Sequence, residues 1–211
     1  SATGLRRLTI STRSLPQPRF WIVAGPNGCG KSTAYDRSDV DEFGGTVWII
    51  NPDLLTSKIM DVEHLSRQDA NLASVVRIEK WLEASIDAHQ TIGVETVLST
   101  GKYRRLVEHA TARGFEVRLI YVFIADPQQQ LERIRLRVAK GGHDVPKDKV
   151  LERRSKSLRQ LGWFFDRADE AWIFDNGSAE PKLIGRKQGN KISLSSSVPP
   201  EMMQNLLNPL P

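Results

Sequence analysis

The stretch that most constrains this chain is GPNGCGKS at residues 25–32, which directly follows the apolar run FWIVA. It matches the pattern G-x-x-x-x-G-K-[ST] at every defined position. Glycines in such a loop let successive backbone N–H groups point inward around a phosphate. The match therefore predicts a nucleotide-phosphate site between a buried strand and a helix. The residues expected to form it are Gly25, Pro26, Asn27, Gly28, Cys29, Gly30, Lys31, Ser32 and Thr33.

Two residues of this loop have expected roles with ATP. Lys31 adds a cation between the β- and γ-phosphates, and Ser32 offers a hydroxyl to the Mg²⁺ that arrives with ATP. A helix beginning at Lys31 also directs its N-terminal dipole at the same anion. Cys29 is the only cysteine, so an intrachain disulfide is excluded and the residue is interpreted as a small side chain in the loop. The four histidines are scattered, so no metal site built from protein ligands is expected.

Apolar runs alternate with helical patterns along the chain. Strands are expected at residues 20–25, 46–51, 91–99, 116–125 and 171–176, and helices at 68–90, 102–113, 128–140 and 148–161. Nearly continuous apolar strands separated by helices are typical of a parallel sheet covered on both faces. The segment PKLIGRKQGNKISL predicts a closing hairpin that turns near Gly189-Asn190. The prediction is a three-layer α/β fold with a mainly parallel sheet of about five strands, a helical lid and a C-terminal β-hairpin.

The length of 211 residues predicts one domain with short appendages. We expect an N-terminal arm at residues 1–18, the domain at 19–195 and a loosely packed tail at 196–211. No apolar run approaches the roughly 20 residues that span a membrane, and no signal-peptide pattern opens the chain. A cytoplasmic protein is therefore expected. The net charge of +5 fits an anionic partner.

Other classes of phosphate-loop protein need motifs that this chain lacks. A GTPase would show an N-K-x-D segment and an ABC-type ATPase an L-S-G-G-Q signature, and neither occurs. A hydrolase motor needs an acidic residue at a strand end. Asp126 in IYVFIAD stands at such an end, but Asp-Pro is also a good helix cap, and the cap is the favoured interpretation.

A kinase needs a carboxylate that accepts the proton of the acceptor hydroxyl, and arginines that close over the transferring phosphoryl group. Asp53 follows the second strand, at the edge where open α/β sheets bind ligands. Spacing alone leaves two roles open for Asp53, general base or helix N-cap. Arg133 and Arg137 are four residues apart and share one helix face, and Arg153 and Arg154 follow on the next helix. These arginines are either lid residues or solvated side chains.

An ordered series of motifs extends well beyond the glycine loop. It comprises AGPNGCGKST, INPD, GVETVLSTGKYRRLVEHATARGFEVRLIYVFI, RIRLRVAKGGHDVP, RRSKSL and FDN. Together these motifs resemble the zeta-toxin family of P-loop kinases, and more closely its branch of short bacterial zeta-like proteins. The likeness runs from about residue 19 to residue 176. E-T-x-L-S followed by G-G-H-x-V-P is its most specific part.

The resemblance implies an ATP-dependent phosphotransferase with an alcohol group as acceptor. The family's best-known acceptor is the 3′-hydroxyl of the amino sugar in UDP-N-acetylglucosamine, and its toxins are held by an antitoxin protein. Lys31 then matches the P-loop lysine, Asp53 the catalytic base and Glu95 the strand-end acid near the sugar. Arg133 and Arg137 occupy the stretch with a phosphate-contacting arginine. Further residues that the resemblance places near the acceptor are Thr96, Ser99, His143, Arg153 and Arg154.

The chain departs from the better-known toxins in its lid, which contains G-G-H, and in the proline before Asp53. These departures weaken the acceptor assignment more than the kinase assignment. A polynucleotide or nucleoside kinase is one alternative, although no aromatic-rich strand platform for bases is present and nucleic acid is not the expected partner. A non-catalytic ATP-binding regulatory module is the other. A small-molecule kinase without membrane association remains the leading hypothesis.

Overall fold

The computed structural model describes residues 16–31, 47–141 and 145–210. Most of the predicted N-terminal arm, together with Ser32, Thr33 and His143, lies outside these ranges, so the roles expected for them stay predictions. The described residues contain seven strands. The strands are β1 Arg19–Ala24, β2 Ile49–Ile50, β3 Ile92–Thr96, β4 Glu116–Phe123, β5 Glu170–Asp175, β6 Lys182–Gln188 and β7 Lys191–Leu194.

The strands form one sheet in the order β2-β3-β1-β4-β5-β6-β7. The first five strands in this order pair in parallel. β6 then pairs antiparallel with β5, and β7 antiparallel with β6. The predicted fold is therefore confirmed, with a parallel core of the five expected strands and a closing hairpin. The central position of β1 explains its apolar composition. Phe20 to Ala24 are fully buried, because β1 has a strand on each side and an apolar cluster packs on each face of the sheet.

Helices connect the strands and cover the sheet. They are α1 Pro52–Glu63, α2 Arg67–Asp87, α3 Arg104–Ala112, α4 Pro127–Ala139, α5 Lys147–Arg167 and α6 Pro200–Leu207. Ile78 and Leu82 of α2 and Leu158 of α5 pack on the same face of the sheet as Phe20. The other face carries a second apolar cluster around Trp21. Among the described residues, the helices lack the combined length and hydropathy needed to cross a bilayer.

The C-terminal segment corrects the sequence-based expectation of a loosely packed tail. Residues 200–207 form α6, which buries Met202 and Leu206 in the main core against α5. The same contact explains why α5 runs to Arg167, beyond the predicted end at residue 161. A Cβ on Gly162 would lie 2.1 Å from the backbone oxygen of Asn205. Gly162 therefore permits close approach of α6 rather than ending the helix.

The parallel strands place several connecting segments at one edge of the sheet. β1 leads to Gly25, β2 to Asn51, β3 ends at Thr96, β4 is followed by Asp126, and β5 leads to Asn176. In open α/β sheets, ligands bind outside the carboxyl ends of the strands. The fold thus brings the segments after five strands to one ligand-binding edge.

Candidate active site

The glycine loop at this edge requires glycine at three positions. Gly25, Gly28 and Gly30 have φ values of 148°, 76° and 78°. A Cβ would lie 1.9 Å from the Val122 carbonyl oxygen if added to Gly25, and 2.5 Å from the Asn176 amide nitrogen if added to Gly30. Only glycine fits this geometry without displacing its neighbours. The loop is consequently a close backbone cradle of the type that binds phosphate.

Two side chains hold the outside of this loop. The Asn176 side-chain amide donates to the Cys29 carbonyl oxygen at 2.9 Å, and the Gln130 amide donates to the Asn27 carbonyl oxygen at 2.7 Å. Both bonds connect the loop to elements distant in sequence, β5 and α4. The motif FDN contains Asn176, but spacing alone assigned no role to Asn176 or to Gln130, because their partners are main-chain oxygens.

Arg153 and Arg154 are placed differently by α5. Arg154 is buried and donates to the Gln130 side-chain oxygen at 2.8 Å and to the Ala125 carbonyl oxygen at 3.1 Å. It therefore stands behind the glycine loop and supports Gln130. Arg153 is exposed and lines a cavity in front of the loop. Of this pair, Arg153 is the residue placed to meet a ligand.

Lys31 and Glu95 form a polar cluster beneath the loop. The Lys31 ammonium donates to the Gly25 carbonyl oxygen at 3.0 Å and lies 3.8 Å from a Glu95 carboxylate oxygen. The other Glu95 oxygen accepts a hydrogen bond of 3.1 Å from the Asn51 amide. Glu95 therefore contacts the loop lysine and the residue that caps α1. This geometry lets it orient both the lysine and the start of α1.

Asp53 is not the N-cap of α1. The N-cap is Asn51, whose side-chain oxygen accepts from the backbone N–H groups of Asp53 and Leu54 at 2.9 and 3.2 Å. The capping interpretation of Asp53 is therefore wrong. The Asp53 side chain is exposed and, among the described residues, has neither a hydrogen bond nor an ion pair. Its carboxylate is available to a ligand.

The Asp53 side chain lines a cavity of about 800 Å³, called the Asp53 cavity below. Asn27 of the glycine loop lines the same cavity, and its side-chain oxygen is buried without a hydrogen-bond partner among the described residues. Arg137 and Arg153 contribute guanidinium groups from α4 and α5. The cavity therefore places a carboxylate, an edge of the phosphate loop and several guanidinium groups around one space.

Arg133 faces a second cavity, of about 390 Å³, on another side of the loop. Gly28, Gly30 and Asn176 line it, together with the segment after β5, and it is called the Asn176 cavity below. Arg133 and Arg137 share α4 but thus serve different cavities. The tight contact of Ile134 with Gly28, between the two arginines in sequence, holds α4 against the loop.

The remaining expected residues have local structural contacts. The Thr96 hydroxyl oxygen accepts from the backbone N–H of Leu98 at 3.0 Å, and Leu98 is buried with a positive φ of 60°. This unusual backbone conformation turns the chain at the end of β3, and Ser99 follows it. Asp126 caps α4 by accepting from the backbone N–H of Gln128 at 2.8 Å, which confirms the favoured interpretation. Burial raises the pKa of the Cys29 thiol, in line with a packing role.

Sequence reasoning missed several polar residues of the Asp53 cavity, three of which lie on α2. Arg67, Gln68 and Asn71 line it from the first turns of α2. Their sequence signal is weak, because a helix that opens with polar residues after Ser66 is expected of any solvated helix. The packing of α2 beside α1 brings them into the cavity that Asp53 lines.

A glycine loop of this kind, after the central strand of a parallel sheet, defines the P-loop class of nucleotide-binding proteins. The family comparison agrees. The model of the AAA domain family matches residues 20–161, and the chain belongs to that family. Among curated proteins, no sequence matches the chain significantly.

Solved structures confirm the P-loop kinase-like fold. A chain of the PezAT chromosomal toxin–antitoxin system of Streptococcus pneumoniae has a TM-score of 0.62 and 18% identity, covering 94% of this chain and 82% of that one. A chain of the AvrRxo1-ORF1:-ORF2 complex with ATP has a TM-score of 0.67 and 18% identity, covering 84% and 60%. A putative kinase from Chloroflexus aurantiacus has a TM-score of 0.52 and 18% identity, covering 64% and 75%.

These likenesses bear out the resemblance to zeta-toxin P-loop kinases at the level of the fold. The chain spans only 60% of the matched AvrRxo1 complex chain. At these identities the shared architecture carries no particular substrate with it.

Proposed function

We propose that the chain is an ATP-dependent phosphotransferase that moves the γ-phosphate to a hydroxyl group of a small molecule bound in the Asp53 cavity. The observation that carries the proposal is this cavity, because it joins Asp53 to the glycine loop and to three arginines. Kinase chemistry needs that combination of a base, a phosphate cradle and cations. A mere ATP-binding module has no need of an exposed carboxylate that lines a cavity beside the loop.

In the proposed reaction, the glycine loop and Lys31 bind the phosphates of ATP. The acceptor oxygen forms a bond to the γ-phosphorus while the bond between that phosphorus and the β–γ bridging oxygen breaks, and ADP leaves. Asp53 takes the proton of the acceptor hydroxyl. Arg137 and Arg153 stabilise charge on the transferring group, and Glu95 holds Lys31 in place. The chemistry of the residues also fits Mg²⁺, which Ser32 would help to hold and which would neutralise phosphate charge.

The Asn176 cavity is proposed to receive the nucleoside end of ATP. It adjoins the same loop as the Asp53 cavity but offers Arg133, Asn176 and main-chain groups in place of a carboxylate. A guanidinium group can stack on the face of an aromatic base. The donor and acceptor would therefore reach the loop from two cavities.

A nucleotide sugar such as UDP-N-acetylglucosamine is the acceptor proposed from the zeta-toxin resemblance, and an antitoxin is the proposed protein partner. Two of the matched structures come from complexes of paired proteins, one named as a toxin–antitoxin system. A toxin of this kind would stop bacterial growth when expressed alone. The Asp53→Asn variant should be tolerated, because it would keep the fold and lose the base.

An ATP-consumption screen tests the proposed function. Nucleotide sugars, free nucleosides and RNA 5′ ends would be supplied as acceptors, and the position of any new phosphate read by mass spectrometry. We expect transfer to a small-molecule hydroxyl that disappears in Asp53→Asn and persists in Asp61→Asn, an exposed control on the same helix. ATP turnover that no acceptor stimulates and that Asp53→Asn leaves unchanged would contradict the proposal.

A further inference from the structure

The outward face of α1 carries large apolar side chains. Leu54 is 70% exposed and Val62 is 62% exposed, whereas Thr56 and Ile59 on the inward face are buried. Leu65, just beyond the end of α1, is also exposed. A surface helix normally turns its polar residues toward the solvent. Because monomers rarely expose large apolar side chains side by side, this face is a candidate for a protein contact.

The same face of α1 carries one charge of each sign. Lys58 and Asp61 are exposed. At 3.6 residues per turn, they lie within about 100° of the helix circumference together with Leu54 and Val62. Lys58 and Asp61 are three residues apart, yet they form no ion pair with each other or with any other described residue. These four side chains, called the α1 stripe below, therefore present an apolar, a basic, an acidic and an apolar group in chain order.

The α1 stripe is self-complementary when two copies of the helix run antiparallel. A two-fold axis midway between residues 58 and 61 places Lys58 of each copy opposite Asp61 of the other. Leu54 and Leu65 are equally far from this axis along the chain, so they also come together between the copies. In a contact with two-fold symmetry, each pairing occurs twice. One axis thus produces two ion pairs and two apolar contacts.

A second copy of the chain fits the α1 stripe better than a partner of a single charge sign. A purely acidic surface would meet Asp61 with like charge, and a purely basic surface would do the same to Lys58. Each copy has a net charge of +5, but at physiological ionic strength repulsion between exposed charges is screened beyond about 8 Å. The local match of charges therefore decides the contact.

We propose that the protein forms a two-fold symmetric homodimer in which the α1 stripes pack antiparallel. The Asp53 cavity stays open in this dimer, because Asp53 and Thr56 line it from another side of α1. The inference is therefore independent of the proposed function. A contact of one helix per copy lies at the small end of specific interfaces, below about 1,200 Å², and we expect a dissociation constant of roughly micromolar size.

Sedimentation equilibrium of the full chain at a series of concentrations tests the dimer. We expect a reversible equilibrium between monomer and dimer with its midpoint at roughly micromolar concentration. Lys58→Glu and Asp61→Lys should each raise the dissociation constant at least about tenfold, because each replaces two ion pairs by two contacts between like charges. Thermal melting of each variant shows whether it is folded.

A mixture of the two variants tests the pairing of Lys58 with Asp61 directly. One variant presents two acidic side chains on its stripe and the other presents two basic ones. Each should be mainly monomeric alone, and the mixture should form a heterodimer. The double variant Lys58→Glu/Asp61→Lys restores opposite charges at both contacts and should dimerise about as tightly as the parent.

Apolar substitutions and controls on α2 complete the set of variants. Leu54→Ser should raise the dissociation constant at least about tenfold, because it removes an apolar contact twice. Leu72→Ser is its control, since Leu72 is 60% exposed but lies outside the α1 stripe. Lys80→Glu is the control for charge reversal at an exposed lysine. Both control variants should dimerise like the parent.

Three results would each overturn the inference. They are a parent protein that stays monomeric at every concentration, a dimer that Lys58→Glu leaves intact, and a mixture of the two charge variants that contains no heterodimer. A monomeric parent would assign the α1 stripe to another occupant, either residues 1–15 of this chain or a different protein. None of these results bears on the kinase proposal.

Discussion

The two cavities beside the glycine loop differ in how their polar groups are used. In the Asn176 cavity, the Asn176 side chain donates to Cys29 and its backbone N–H donates to the Phe123 carbonyl oxygen at 2.8 Å. In the Asp53 cavity, the side chains of Asp53, Arg67 and Arg153 have no hydrogen bond or ion pair to the described residues. One side of the loop is fixed by contacts with main-chain atoms. The other side presents charged side chains to the cavity.

This contrast has a functional meaning under the proposed reaction. A donor that is always ATP can be held by backbone groups, whose positions follow from the fold. An acceptor is selected by side chains, which can change without altering the sheet. We therefore expect substitutions in the Asp53 cavity to affect turnover, and substitutions around the Asn176 cavity to affect stability and ATP affinity.

The largest expected effect is that of Asp53→Asn on turnover. Loss of a general base lowers the rate by roughly 10²–10⁴-fold. Stability should change little, because Asn51 caps α1 and a charge in the first helical turn contributes only about 0.3–1 kcal/mol. Turnover and thermal melting of Asp53→Asn would be measured beside Asp61→Asn. Retention of the parental rate by Asp53→Asn would show that Asp53 is not the base.

The second-largest expected effect on turnover is that of Lys31→Ala, in the glycine loop that adjoins both cavities. Removing one group that stabilises transition-state charge typically costs 10²–10³-fold in kcat, roughly 3–4 kcal/mol. The described contacts of Lys31 are loop carbonyls and Glu95, so the apo protein should melt at nearly the parental temperature. Lys102→Ala, on the loop after β3, is a control. Normal turnover in a folded Lys31→Ala protein would exclude phosphate-loop catalysis.

The features predicted from sequence are those that depend on local spacing. The glycine loop was recognised because Gly25, Gly28 and Gly30 must adopt positive φ values at fixed intervals. The five parallel strands were recognised because central strands such as β1 are apolar at consecutive positions. In both cases a short segment carries the sequence pattern from which its conformation can be predicted.

The features that were missed depend on contacts between distant segments. Arg67 and Asp53 line one cavity because α1 packs against α2, a contact that includes the Glu63–Arg77 ion pair. The helix predicted at residues 148–161 continues to Arg167, because Gly162 permits the approach of α6. Helical spacing put Arg133 and Arg137 on one face but could not show that the glycine loop divides the space in front of α4 into two cavities.

Lysine substitutions at the arginines of α4 test whether the two cavities bind separate ligands. Loss of a guanidinium fork on phosphate costs roughly 1.5–3 kcal/mol, or about 10- to 100-fold. Arg137→Lys should lower kcat, because Arg137 lines the Asp53 cavity, whereas Arg133→Lys should mainly raise the KM of ATP. Arg135→Lys should change neither constant. Identical kinetic changes at Arg133 and Arg137 would mean that the two cavities do not have separate ligands.

The smallest catalytic effect is expected for Asn176→Ala, on the side fixed by main-chain contacts. The substitution leaves the buried Cys29 carbonyl oxygen without its donor, which should cost about 1–3 kcal/mol of folding free energy. The glycine loop would still carry Gly25, Gly28 and Gly30, so it should bind ATP with a KM raised only about two- to tenfold, and kcat should stay near the parental value. Urea unfolding and ATP titration measure the two quantities separately. Asn190→Ala, in the exposed turn between β6 and β7, is the control for a surface asparagine. Should Asn176→Ala instead lower kcat as strongly as Asp53→Asn with an unchanged unfolding midpoint, Asn176 would contact the reacting groups, and the distinction between a fixed donor side and a selective acceptor side would fail.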